Sequence, residues 1–178
     1  MLRIISHSEA ETMNLGKRLV RRLGPGDTVC LFGTLGAGKT ILVKGMAEGL
    51  GISRDEVISP SFVLIREYLP APLNRKRLRG PAGRGRIKIP FYHFDLFRLR
   101  NPQNILSLGY EEYLYGRGIC AIEWAQRLAE YLPSEFLKIE LRIKDKTKRV
   151  IRLIANGERY RKVLKNFKTP RFHQIITR

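Results

Sequence analysis

With 178 residues, 34 lysines and arginines and 16 acidic residues, the chain is long enough to bury a core in one domain and carries a formal net charge of +18. No apolar run approaches the roughly 18 residues of a membrane span and no signal-peptide core is visible near Met1, so a cytoplasmic protein without membrane contact is expected. Cys30 and Cys120 sit in apolar runs where reduced, buried thiols are expected, and His7, His93 and His173 are too scattered for a zinc site.

Leu2 to Ile5 has the character of a short strand. Ser8 followed by Glu11 has capping-box spacing, which predicts a helix running to about Leu23. Residues 27–32 form a β-branched and aromatic run that reads as a strand, and helical periodicity runs from Lys39 to Leu50, ended by Gly49 and Gly51. Between them, Gly33-Thr34-Leu35-Gly36-Ala37-Gly38-Lys39-Thr40 fills every slot of the Gly-x4-Gly-Lys-Thr phosphate-binding loop. Each residue type there has a mechanical role. The glycines let backbone N–H groups turn inward, Lys39 reaches the β- and γ-phosphates, and the Thr40 hydroxyl suits a Mg²⁺ ligand. The strand before it and the helix after it are the setting that the motif requires, and the helix start adds partial positive charge. A chance match with both flanks correct is rare, so nucleotide-phosphate binding is the expected chemistry.

Strand character returns at Val57-Ile58, at Phe62–Tyr68 and at Ile89–Phe94; a helical patch follows over Ile105–Leu114, then a strand at Gly118–Ile122 and a short helix from Trp124. Phe136–Ile143 and Arg149–Ala155 flank Lys144–Lys148 and read as a β-hairpin. The alternation implies an α/β, P-loop NTPase-like three-layer domain over residues 1–157, with a mixed central sheet and a C-terminal hairpin. Two stretches stand apart. Residues 73–88 carry seven cations and no anion and read as an exposed loop insertion, while residues 158–178 carry seven cations and one anion and read as a basic tail, helical in part at most. Each fits a solvated charge run as well as it fits a surface for RNA or phosphate.

A phosphate loop needs an acid near Mg²⁺ and a group to orient the nucleophile. Glu123 ends the apolar run 119–122 as a Walker-B acid would, and alternation puts His93 and Asp95 on one face of a strand. Either acid taken alone could equally cap a helix or pair with an arginine, and His93 alone could be a structural histidine. Their joint presence beside the loop favours chemistry.

Leu35–Thr40, Ser59-Pro60-Ser61-Phe62, His93-x-Asp95-x-Phe97-Arg98, Leu108-Gly109 and Ile122-Glu123-Trp124, in that order, resemble the TsaE (YjeE) family, the bacterial ATPase of tRNA threonylcarbamoyladenosine biosynthesis. The resemblance covers roughly Ser8 to Ala155. Ser61 stands where the family has Thr, Phe97 where it has Tyr, Ala125 where it has Pro and Thr34 where it has an acid. It implies a weak ATPase that joins the TsaB–TsaD pair, which transfers a threonylcarbamoyl group onto an adenosine beside the tRNA anticodon. Carried across, Gly33 and Leu35–Thr40 hold ATP, Thr40 and Glu123 hold Mg²⁺, and Lys39, Glu123 and Asp95 serve catalysis. Ser59–Phe62 with His93, Asp95 and Arg98 form a switch-like segment, Trp124 flanks the nucleotide, and Glu9, Thr12 and Arg149 lie near its adenine and phosphates. The tRNA is reached through the partners, or directly through the basic stretches. Two rival readings keep the loop: a small-molecule kinase, and a nucleotide-regulated RNA-binding module.

Overall fold

The computed structural model describes residues 1–70 and 89–167, so the insertion 73–88 and the chain beyond Phe167 lie outside the described residues. Seven strands form one sheet: β1 (Leu2–Ser6), β2 (Thr28–Phe32), β3 (Ile65–Tyr68), β4 (Phe91–Asp95), β5 (Ile119–Glu123), β6 (Phe136–Ile143) and β7 (Arg149–Asn156), in spatial order β1-β7-β6-β2-β5-β4-β3. The central strands β4, β5, β2 and β6 run parallel, while β3, β7 and β1 are antiparallel to their neighbours. The mixed sheet and the β6–β7 hairpin are therefore as expected. β5 is buried along its whole length, which explains its unbroken apolar run before Glu123.

Alternation along these strands feeds two cores. Val29, Leu31, Ala121, Leu137 and Ile139 meet α1 (Glu9–Val20), α2 (Lys39–Gly49) and α4 (Glu158–Lys165) on one face. Cys30, Phe94 and Ile122 meet α3 (Tyr110–Leu114) and the 3-10 turns Pro102–Leu108 and Ala125–Tyr131 on the other. Over β6 and β7 this second face carries charge instead: Glu140 lies 2.9 Å from Lys138 and 3.1 Å from Arg152. The contact between α1 and α2 is unusually close. A Cβ at Gly45 would lie 2.0 Å from the Met13 carbonyl oxygen, and one at Gly16 would lie 2.2 Å from that of Leu42.

Several local expectations shift. α1 stops at Val20 rather than Leu23, although Leu23 remains buried as the chain turns toward Gly24-Pro25-Gly26. Val57-Ile58 is not a strand, for Val57 enters the core from a loop while Ile58 is exposed. The strand expected over Phe62–Tyr68 is trimmed to Ile65–Tyr68 because Leu64, at φ 63°, closes a tight turn whose N–H bonds the Pro60 carbonyl at 2.6 Å. The helical patch is split by Gly109, which at φ 60° ends the 3-10 turn and starts α3.

The largest difference concerns the tail. Glu158–Phe167 is part of the domain, because α4 buries Tyr160 and Leu164 and the turn after it buries Phe167. The Tyr160 hydroxyl accepts the Thr28 N–H at 2.8 Å, and the Arg159 guanidinium straddles the fully buried Asp27 carboxylate. The i, i+4 spacing of Tyr160 and Leu164 is there in the sequence, beneath a cation excess that makes the segment read as a tail.

Candidate nucleotide-binding site

β2 leads directly into the glycine loop, and α2 starts inside it at Lys39. Gly38 caps α2 at φ 99°, a left-handed conformation that disfavours other residues. Gly33 also has positive φ, and a Cβ there would lie 2.5 Å from the Leu141 carbonyl oxygen of β6. The loop is thus shaped by backbone conformation and by the neighbouring strand together.

Register then delivers the acids. Glu123 pairs with Leu31 on β2 and with Asp95 on β4, so both carboxylates stand at the C-terminal ends of adjacent parallel strands, beside the loop. That end of an open α/β sheet is where ligands bind. Both acids and His93 are buried. Glu123 accepts the Thr40 hydroxyl at 2.9 Å on Oε2, while His93 Nε2 lies 2.9 Å from Oε1. An Nε2–H donor to the carboxylate leaves Nδ1 of the neutral ring as an acceptor, and that atom is buried without a hydrogen-bond partner among the described residues. Asp95 works separately: its Oδ2 accepts the hydroxyls of Ser59 and Ser61, the latter at 2.6 Å, and its Oδ1 accepts the Phe97 N–H at 3.1 Å. His93 and Asp95 therefore share a strand face but serve two different networks.

Lys39 is almost wholly buried, and its ammonium donates to the Gly33 and Thr34 carbonyls at 2.9 Å each while lying 3.9 Å from the Trp124 ring centre. Burial pushes its pKa below the usual lysine range, and the Glu123 and Asp95 carboxylates oppose that shift. Phosphate oxygens would favour the charged form in the same way.

Lys39, Thr40, Asp95 and Glu123 face a cleft of about 550 Å³. Glu9, Thr12, Leu35, Gly36, Gly38, Lys39, Thr40, Ser59, Ser61, Asp95, Glu123, Trp124 and Arg149 all border it. Arg149 also reaches the Gly36 carbonyl at 3.3 Å from the far hairpin, and Thr12 is held by Ser6 Oγ at 2.8 Å. Gly33, Ala37, Pro60, Phe62, His93 and Arg98 are not among the lining residues. His93 sits behind Glu123, and Phe62 is 83% exposed with the Arg98 guanidinium 4.2 Å from its ring centre. Ser8, Ile41, Phe97, Lys146 and Thr147 also line the cleft, beyond the site residues that the sequence suggests. The helix cap and the hairpin turn are visible in the sequence, but nothing local aims either at a glycine loop more than twenty residues or a hundred residues away.

The residues fit a Mg²⁺-nucleotide. Thr40 and Glu123 offer two hard oxygens already 2.9 Å apart, suited to an ion that takes its remaining ligands from phosphate and water. Among the described residues no group of three or more His, Cys, Asp and Glu could hold a metal by itself. A parallel strand, a glycine loop, a helix starting at the loop lysine and an acid at the end of the next strand define a P-loop nucleotide-binding domain.

Comparison with known proteins narrows the class. The family model described as threonylcarbamoyl adenosine biosynthesis protein TsaE matches residues 6–151. The tRNA threonylcarbamoyladenosine biosynthesis protein TsaE of Bacillus subtilis is 39% identical over 150 residues, covering 84% of this chain and 83% of the relative. The protein of the same description from Treponema pallidum is 37% identical over 142 residues, covering 80% and 92%. The crystal structure of Bacillus subtilis YdiB superposes with a TM-score of 0.72 at 34% identity, covering 93% of this chain and 94% of that one. The chain belongs to the TsaE family.

Proposed function

We propose that this protein is a Mg²⁺-dependent ATPase of tRNA threonylcarbamoyladenosine biosynthesis, working in the cytoplasm with a TsaB–TsaD pair. Family membership supports the pathway, and the names of its relatives carry it. The observation that supports the chemistry is the hydrogen-bonded line from Thr40 through Glu123 to His93, set beside Lys39 in the glycine loop.

Hydrolysis of ATP moves the γ-phosphoryl group to water and asks mainly for positioning and charge stabilisation. Lys39 supplies a fixed ammonium toward the β- and γ-phosphates, and Gly33 with Leu35–Thr40 supplies the inward backbone N–H groups. Thr40 and Glu123 would hold Mg²⁺, which supplies neutralising charge on the phosphate oxygens when bound. Asp95 holds Ser59 and Ser61 at the cleft, so the segment 59–62 can answer to the γ-phosphate. Trp124, Glu9, Thr12 and Arg149 border the remainder of the nucleotide.

The test is twofold. ATP hydrolysis should require Mg²⁺ and Lys39, and the chain should be retained by purified TsaB–TsaD in the presence of ATP. Phosphate transfer to a small acceptor would make the protein a kinase. RNA affinity that changes with ATP while no hydrolysis occurs would make it a nucleotide-regulated binding module.

A further inference from the structure

We infer that the end of the domain opposite the nucleotide cleft carries a groove for the phosphate backbone of RNA, built between the C-terminus of α1 and α4. Two concavities meet there. Arg18, Arg21, Arg22 and Phe167 line one of about 310 Å³. Arg22 also borders the other, of about 520 Å³, together with Arg159 and Lys162. The cations come from segments more than a hundred residues apart and converge only because α4 docks.

The groove is built rather than merely charged. Arg159 is held by the buried Asp27 carboxylate through two guanidinium nitrogens, yet its side chain stays 52% exposed. Phe167 is buried and forms part of the floor. Glu158 is the acid among the described lining residues, and its carboxylate is engaged by Arg161 at 3.1 Å. Arg159 is already matched by Asp27, but Arg21, Arg22 and Lys162 beside it leave a local excess of positive charge that an anion facing the groove would relieve. Arg and Lys without an interleaved exposed aromatic suit phosphates rather than bases.

The position separates this groove from catalysis. Glu9 and Thr12 on the first turn of α1 line the nucleotide cleft, while Arg21 and Arg22 follow its last turn. Twelve helical residues span about 18 Å, so an RNA strand could lie in the groove while ATP occupies the cleft. α4 follows the residues matched by the family model, whereas Arg18, Arg21 and Arg22 lie within them, so the α4 half of the groove falls outside that match. RNA, rather than another polyanion, rests on the proposed tRNA-directed function.

The experiment compares the full chain with the triple variant Arg21→Gln/Arg22→Gln/Lys162→Gln, using unmodified tRNA transcript and fluorescence anisotropy across a salt series. A second triple, Arg54→Gln/Arg66→Gln/Arg100→Gln, removes equal charge elsewhere. The groove variant should bind tRNA at least about tenfold more weakly at 0.1 M salt, and its log–log salt slope should fall by roughly two units, at 0.7–0.9 for each phosphate no longer neutralised. The control triple should change neither by more than about twofold. ATP affinity of the groove variant, measured separately, should match that of the native protein, which keeps failure here distinct from failure of the ATPase assignment. Superimposed tRNA titrations for native and groove variant, or equal losses in both triples, would overturn the proposal. So would loss of TsaB–TsaD capture with unchanged tRNA binding, since the groove would then belong to a protein partner.

Discussion

Lys39 shows why single side chains dominate this site. It is buried, depressed in pKa by that burial, and aimed by two carbonyls. Lys39→Ala should lower Mg²⁺-dependent ATP hydrolysis by about 10²–10³-fold, the usual cost of removing a charge-stabilising donor, with little change in the thermal midpoint. Near-native turnover would remove the loop from the mechanism. The two acids should separate. Glu123 touches Thr40, whereas Asp95 touches Ser59, Ser61 and Phe97. Glu123→Ala should weaken Mg²⁺-dependent ATP affinity, and Asp95→Ala should largely spare it while raising proteolytic cleavage within residues 59–64. Calorimetric titration of both variants checks this, and the reverse pattern would exchange their roles. His93 acts through Glu123, so His93→Ala should weaken Mg²⁺-dependent affinity and cost about 1–3 kcal/mol of stability by leaving a buried carboxylate oxygen unpaired. His93→Gln, which can still donate to that oxygen, should recover much of the affinity.

Among the elements, the close seating of α1 depends on a side chain that α2 does not carry at Gly45. Gly45→Ala would improve helix propensity by about 1 kcal/mol, yet the new methyl would collide with the Met13 backbone. The expected net effect is destabilisation by roughly 1–3 kcal/mol, read as a lower urea midpoint with an unchanged slope. A more stable variant would mean that the two helices can slide apart freely. α4 makes a parallel case. Tyr160→Phe keeps the buried ring and strands the Thr28 N–H, so a loss of about 1–3 kcal/mol is expected. That N–H lies at the start of β2, the strand that feeds the glycine loop, so the C-terminal helix supports the site from the opposite end of the sheet.

For the whole molecule, the two thiols report on cooperative unfolding. Cys30 and Cys120 lie on one face of adjacent strands in the second core, both fully buried. Burial pushes the Cys120 thiol up to about 12 and Cys30 higher still. At pH 8 neither thiol supplies appreciable thiolate in the folded protein, and both regain ordinary acidity on unfolding. Alkylation at pH 8 should therefore be slow in buffer and rise for both residues together across the urea transition. Labelling of one cysteine well before the other would show that the sheet opens in parts. No helix among the described residues is long and apolar enough to cross a membrane.

What the sequence by itself determined is local. The glycine loop, the capping serine before α1, the β6–β7 hairpin and the acid ending β5 each depend on neighbours within a few residues, where backbone sterics and side-chain alternation act directly. The tertiary structure alone decided which distant groups meet. Strand register placed Asp95 opposite Glu123, and docking of the hairpin brought Arg149 to Gly36. Division of labour between His93 and Asp95 came from their partners, Glu123 on the adjacent strand for one and the Ser59 and Ser61 hydroxyls for the other, and the fate of Glu158–Phe167 came from a buried aspartate more than a hundred residues earlier. Such contacts form because burying apolar faces fixes the strand order, and a chain read one residue at a time carries no record of that order.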